Sequence, residues 1–206
     1  MSMRRSTKDK RCPECRINLE HCFCEAITSL QSMHQISVVI HVRELKLTSN
    51  TAYFVKKLLP SQTTLWTRGR VFEPFDAKAV LESSTLKPLY IYPDENAQDF
   101  DQAFQEKNPG PYHFIIPDGS WTQARKVHKR EEDFKNLTLI KLPETLKGEY
   151  LLRKSNHPHW LSTFEAIAQV LKMSGENDQY EKMMAFFKVF NQRVYQTRHL
   201  ASGLSR

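Results

Sequence analysis

Tyr112-His113-Phe114-Ile115-Ile116-Pro117-Asp118-Gly119-Ser120-Trp121 is the stretch whose reading decides the fold. Residues 112–116 have the length and the β-branched and aromatic content of a buried strand, and Pro117 and Gly119 punctuate its end. Ser120 followed by Gln123 has the spacing of a capping box, so a helix opens here and covers 122–129. Asp118 is thereby set at the carboxyl end of a strand, just before a helix N-terminus. Open α/β sheets gather ligands and catalytic groups at that place. Pro-Asp-Gly is also an ordinary turn sequence. The large Trp121 in the first helical turn favours a functional reading, because a plain turn gains little from an indole.

Outward from this centre, short apolar runs alternate with helical patterns. Strands are expected at 36–40, 63–66, 89–92 and 137–142, with 71–72 also extended. Helices are expected at 51–59, where Pro60 stops the run, and at 77–81, 99–105, 161–172 and 180–198. Strand–helix alternation with connections of this length predicts an α/β fold, a mostly parallel sheet with helices on both faces. Met183, Met184, Phe186, Phe187 and Phe190 form a core-facing stripe on the last helix.

The chain has 206 residues, enough for one α/β domain and a small appendage. Residues 1–11 are basic and polar and are expected to be a flexible N-terminus, 12–28 a cysteine knuckle, and 33–200 the α/β domain. No apolar segment follows the N-terminal cations, so a secretory signal is not expected, and no run approaches a membrane span. A cytoplasmic location is the expectation. The formal charge of +7 favours an anionic partner such as nucleic acid.

All four cysteines fall in Cys12-Pro-Glu-Cys15 and Cys22-Phe-Cys24. The spacing lets four thiolates converge on one tetrahedral ion, and Zn²⁺ prefers such a closed site. A disulfide pair and an iron–sulfur cluster are the competing readings. Four sulfur ligands leave no open coordination position, so a zinc ion here is structural.

Three further segments are polar where a core pattern does not require it. In His41-Val42-Arg43-Glu44 the histidine closes a strand, and Ser49-Asn50-Thr51 opens a helix with an N-cap and amides suited to a carboxylate or phosphate. Tyr150-Leu151-Leu152-Arg153-Lys154 reads as strand-like, leading to a loop with His157, Pro158 and His159. In Leu161-Ser162-Thr163-Phe164-Glu165-Ala166, Ser162 and Glu165 again have capping-box spacing.

Taken in order, these segments and the cysteine knuckle resemble the DTW-domain family, named for an Asp-x-Thr-Trp motif that Asp118 to Trp121 matches with Ser120 in place of threonine. The likeness spans about residues 12–169. It implies a SPOUT-related fold with a C-terminal trefoil knot. It also implies a tRNA-uridine aminocarboxypropyltransferase, which moves the 3-amino-3-carboxypropyl group of S-adenosylmethionine to N3 of uridine. Under that resemblance Asp118 is the candidate base and Trp121 stacks on uracil or adenine. Arg153 or the amides of Ser49, Asn50 and Thr51 hold the methionine carboxylate, and Glu165 meets its amine. His41, Glu44, Ser120, Ser162 and Thr163 complete the expected substrate and cofactor site. Arg125, with Lys126, Lys129 and Arg130, guides tRNA phosphates. Two other readings stay open: an RNA methyltransferase using the same cofactor, and a zinc-knuckle RNA-binding protein without chemistry.

Overall fold

A computed structural model describes residues 10–151 and 161–200, with side chains to residue 197. Among the described residues six strands form one sheet: β1 (Gln35–His41), β2 (Thr63–Arg68), β3 (Lys87–Ile91), β4 (Gln98–Asp99), β5 (Tyr112–Asp118) and β6 (Thr138–Lys141). Their order is β2-β1-β5-β3-β6-β4, and every pairing is parallel. All seven residues of β5 are buried, the pattern of a central strand covered on both faces.

Among the described residues seven α-helices cover the sheet: α1 (Ala52–Leu58), α2 (Ala77–Glu82), α3 (Gln102–Lys107), α4 (Trp121–Arg130), α5 (Glu132–Lys135), α6 (Thr163–Met173) and α7 (Asn177–Leu200). On one face Ile36, Val38, Phe114 and Ile116 pack with α1, α3, α6 and α7; on the other, Val39, Tyr90 and Ile115 pack with α2, α4 and α5. The expected stripe on α7 is core, with Met183, Phe186, Phe187 and Phe190 fully enclosed.

The cysteine segment is not packed apart from the domain. Cys12, Cys15, Ile17 and Phe23 share the core of α1, α6 and α7, and the Phe23 ring lies 5.5 Å from Phe54 and 5.8 Å from Phe186. Burying one aromatic ring this way couples the knuckle to the domain more strongly than its few hydrogen bonds could.

Several expectations need correcting. Val71 and Phe72 are not in a strand; they lie in a bent loop at 87% and 95% exposure. The helix expected from 99 begins at Gln102, because Gln98 and Asp99 pair with β6 and Asp101 caps the helix through Phe104 N–H. Tyr150 and Leu151 are not strand, and Arg153, Lys154, His157, Pro158 and His159 lie outside the described residues. So does much of the connection from β6 to α6, and the trefoil knot implied by the resemblance is not shown.

The topology creates a crevice. After β1 the chain turns to α1 on one face, whereas after the adjacent β5 it turns to α4 on the other. Loops that part in this way leave a gap above the strand ends, the usual ligand position in open parallel sheets.

Candidate active site

Asp118 is the last residue of β5 and sits at that gap, 8% exposed. Gly119 follows with φ +143°, a conformation that side chains rarely adopt, and a Cβ there would come within 2.6 Å of Gln123 Oε1. This turn lets the chain pass from β5 into α4 directly. Ser120 then caps α4 by accepting from Gln123 N–H at 3.3 Å, while Gln123 Oε1 accepts from Ser120 N–H at 2.6 Å. The expected capping box is present, and it fixes where the strand ends and the helix starts.

Among the described residues, Asn50 and Thr163 hold the Asp118 carboxylate. Asn50 Nδ2 donates to Oδ2 at 3.0 Å, and the Thr163 hydroxyl donates to Oδ1 at 2.5 Å. Thr163 is the first residue of α6, so that helix brings the positive end of its dipole to the carboxylate. Asn50 is 5% exposed, and its Oδ1 accepts from Tyr53 N–H at 2.7 Å. One amide therefore caps α1 and grips Asp118. Three segments distant in sequence meet at this carboxylate.

Beside it opens a cavity of about 380 Å³. Ile91, Tyr92, Leu142 and Leu161 give it apolar walls, Trp121 and Gly119 line one side, and Ser162 and Thr163 supply hydroxyls. Lys141 and Glu144 contribute charge of both signs. A volume of this size with mostly apolar walls and a few converging polar groups suits a nucleoside-sized ligand.

Other expected site residues have different surroundings. Glu165 is 2% exposed; its Oε2 accepts from Ser162 N–H at 2.6 Å, and its Oε1 accepts from Glu149 N–H. Both oxygens serve the backbone, so Glu165 acts as a cap and a clamp in this structure. The Ser49–Asn50–Thr51 turn is likewise not an open anion cradle. Asn50 N–H bonds Leu47 O, Ser49 O accepts from the Tyr150 hydroxyl at 2.7 Å, and Thr51 is buried. Moreover α1 has only seven residues.

His41 lies at the same sheet edge as Asp118, since its neighbour Ile40 pairs with Asp118 across the sheet. Its Nδ1 accepts from Arg43 N–H at 3.2 Å. Burial and the nearby cations Arg43, Arg68 and Lys126 push its pKa down, which favours the neutral ring. Glu44 is half-buried in the turn after β1, and Arg125 is exposed on α4. Neither is brought to the carboxylate by a described hydrogen bond.

Sequence reading missed the cavity walls contributed by Ile91, Tyr92 and Lys141 to Glu144. A signal existed, since all follow parallel strands at the same edge as Asp118. It also missed Asn191 of α7, whose Nδ2 donates to Glu149 O at 3.2 Å and whose Oδ1 accepts from Leu151 N–H at 3.4 Å. Nothing local in the α7 sequence distinguishes that asparagine.

The four sulfurs of Cys12, Cys15, Cys22 and Cys24 lie within 4.8 Å of one another, and none is in a disulfide. Cys12 and Cys24 are 3.4 Å apart, and Cys15 and Cys22 3.7 Å. A tetrahedron with Zn–S bonds of about 2.3 Å has edges of about 3.8 Å, so these thiolates can hold one zinc ion. The Cys15 amide holds the Cys12 thiol down to about 6, whereas burial pushes the Cys15 and Cys24 thiols up, so a cation is needed to hold all four as thiolates. The knuckle reaches the site region through Arg16. Its Nη1 donates to Leu45 O at 2.6 Å, and its guanidinium lies 3.4 Å from the centre of the Tyr53 ring.

Fold and site together define a parallel α/β protein with a ligand-sized cavity at the carboxyl ends of β3, β5 and β6, next to a carboxylate held by Thr163 of the cavity wall. The chain belongs to the DTW domain family, whose model matches residues 9–195. It is similar to tRNA-uridine aminocarboxypropyltransferase 2 of Drosophila melanogaster, 25% identical over 165 residues, covering 78% of this chain and 65% of the fly protein. The protein of that name from Macaca fascicularis is 22% identical over 176 residues, covering 84% and 59%. That from Mus musculus is 22% identical over 170 residues, covering 81% and 57%. The chain thus spans about three-fifths of the length of these relatives. Among solved structures it is similar to the SAM-dependent rRNA:acp-transferase Tsr3 from Vulcanisaeta distributa, with TM-score 0.48, 18% identity and 82% of each chain covered.

Proposed function

We propose that this protein transfers the 3-amino-3-carboxypropyl group of S-adenosylmethionine to N3 of a uridine in tRNA, releasing methylthioadenosine. The observation that carries the reading is Asp118, clamped by Asn50 and by Thr163 of an apolar cavity's wall, in a chain of the DTW domain family. The names of the relatives support the same chemistry.

The nucleoside part of S-adenosylmethionine suits the cavity between Tyr92, Leu142, Leu161 and Trp121. Uridine N3–H is a weak imide acid and must lose its proton as it attacks. Asp118 is the base. A carboxylate has about four acceptor positions, so the bonds from Asn50 and Thr163 do not by themselves bar it from taking the substrate proton. The N3–Cγ bond forms as the Cγ–S bond breaks, its electron pair goes to sulfur, and the N3 proton goes to Asp118. The sulfonium leaves as a neutral thioether and requires no acid. Attack at Cγ rather than the methyl carbon is decided by how the substrate is held against the cavity wall. Thr163 and Asn50 are positioning residues: they fix the carboxylate, and they do not touch the reacting atoms.

The cysteine cluster holds a structural zinc under this reading and takes no part in bond making. Deleting the gene and analysing tRNA nucleosides by mass spectrometry tests the function. The aminocarboxypropylated uridine should disappear from at least one tRNA and return on complementation. An unchanged nucleoside profile would contradict the proposal.

A further inference from the structure

Val71 and Phe72 are 87% and 95% exposed, the two most exposed large apolar side chains among the described residues. They sit at the tip of the loop 69–75, and both ends of that loop are pinned. Gly69, at φ +88°, packs its backbone so close to His41 that a Cβ would stand 3.0 Å from the ring Nε2. At the other end Phe75 packs edge-on against Phe134 at 6.2 Å, and Asp76 caps α2 through Ala79 N–H. A tip with no local packing on a fixed base is a presented side chain, not a frayed one.

The base of the loop lies beside a group of cations, two of them paired with Glu73 and Glu131. Arg68 pairs with His41 across the strands, and Ile40 pairs with Asp118, so the row His41–Arg68 leads from the carboxylate to the sheet edge. Arg43, Arg68 and Lys126 all lie close enough to His41 to act on its charge. Arg68 is held by Glu131 at 2.7 Å in a half-buried pair, whereas Arg43 and Lys126 are exposed. Arg70 pairs with Glu73 at the surface, and an exposed pair of this kind is worth so little that a phosphate can replace the carboxylate. Protein interfaces keep charge out of their apolar centre, whereas single-stranded nucleic acid pairs stacked bases with flanking phosphates. An exposed aromatic near Arg70, with Arg43 and Lys126 beside the loop's base, fits the second, as does the chain's charge of +7.

We infer that the loop 69–75 grips the RNA substrate, with Phe72 stacking on an unpaired base while Arg43, Arg70 and Lys126 meet the flanking phosphates. This rests on the RNA-modifying reading of the site and adds to it the surface and the kind of RNA, a loop or bulge with an unstacked base.

Anisotropy titrations of fluorescently labelled tRNA at several salt concentrations test it, with Phe72→Ala, Phe72→Leu and Phe72→Trp beside the unaltered protein. Loss of one base stack should weaken binding of Phe72→Ala by about tenfold without changing the salt slope. Phe72→Trp should bind like the unaltered protein, and Phe72→Leu like Phe72→Ala. Arg43→Gln with Arg70→Gln should flatten the log–log slope by about 0.7 for each phosphate no longer neutralised. Equal affinity of Phe72→Ala and the unaltered protein would overturn the inference alone. So would full rescue by leucine, or a change of association state in light scattering, either of which would mark a protein-docking patch. If the unaltered protein binds no tRNA, the functional reading fails first and this inference with it.

Discussion

Asn50 spends both ends of its side-chain amide, the oxygen on Tyr53 N–H and the nitrogen on Asp118. Asn50→Ala should therefore lower stability by about 1–3 kcal/mol, the cost of leaving buried partners unmatched, and slow turnover by loosening the carboxylate. Asp118→Asn is the contrasting variant. It keeps the shape of the turn but removes the proposed base, and turnover should fall about 10² to 10⁴-fold with S-adenosylmethionine affinity little changed. Calorimetry and single-turnover rates on both variants separate the two roles; unaltered turnover in Asp118→Asn would make Asp118 a turn residue only. His113 gives a residue-scale prediction of another kind. It is 1% exposed, bonded to Ser37 Oγ at 2.7 Å, and burial lowers its pKa to about 4. The unfolded chain, with a pKa near 6.5, binds more protons between about pH 4 and 6.5, so stability present above this window is lost as pH falls through it. The slope is at most about 1.4 kcal/mol per pH unit for this group, and His34, also lowered by burial, adds with the same sign. Urea midpoints should drop between pH 7 and 5, less steeply in His113→Gln. A flat midpoint would contradict the assignment.

At the scale of elements, much was legible because local signals and tertiary demands agreed. Ser120 with Gln123 and Ser162 with Glu165 each form the capping box their spacing announces, and the apolar run ending at Ile116 is the central strand. Asp118 was legible as a strand-end residue, since that follows from Pro117, Gly119 and the capping box alone. Illegible were the partners that reach it across the fold. Asn50 and Thr163 read as caps or ligands in sequence, and only the sheet order and the seating of α6 turn them toward Asp118. Glu165 shows the converse: its charge suggests a substrate amine, whereas the partners the fold gives it are the amides of Ser162 and Glu149. The two-residue β4 is too short to carry any periodicity. The cysteine segment shows both sides. Its ligand set is readable from spacing, whereas its docking through Phe23 into α1 and α7 is not. Because that ring is wholly buried, removing the metal should disturb the domain and not just the knuckle. Metal analysis should give about one zinc per chain, and strong chelation should lower the thermal midpoint. A metal-free protein of undiminished stability would remove the structural role.

For the whole molecule, the sheet order carries the account. Loops after β1 and β5 part to opposite faces, α6 arrives over the gap, and a basic rim runs from His41 and Arg68 to Lys126. No helix among the described residues is long and apolar enough to cross a membrane. The formal charge of +7 fits a polyanionic substrate. If this arrangement works as proposed, the carbon delivered to RNA comes from the aminocarboxypropyl arm of S-adenosylmethionine and never from its methyl group. The most direct measurement incubates the protein and tRNA with S-adenosylmethionine labelled either in the methyl group or in the aminocarboxypropyl carbons. The account predicts that only the second label enters RNA, on uridine, and that the methyl label leaves in methylthioadenosine. Methyl label in the RNA with release of adenosylhomocysteine would contradict it, as would no transfer of either label to any tRNA.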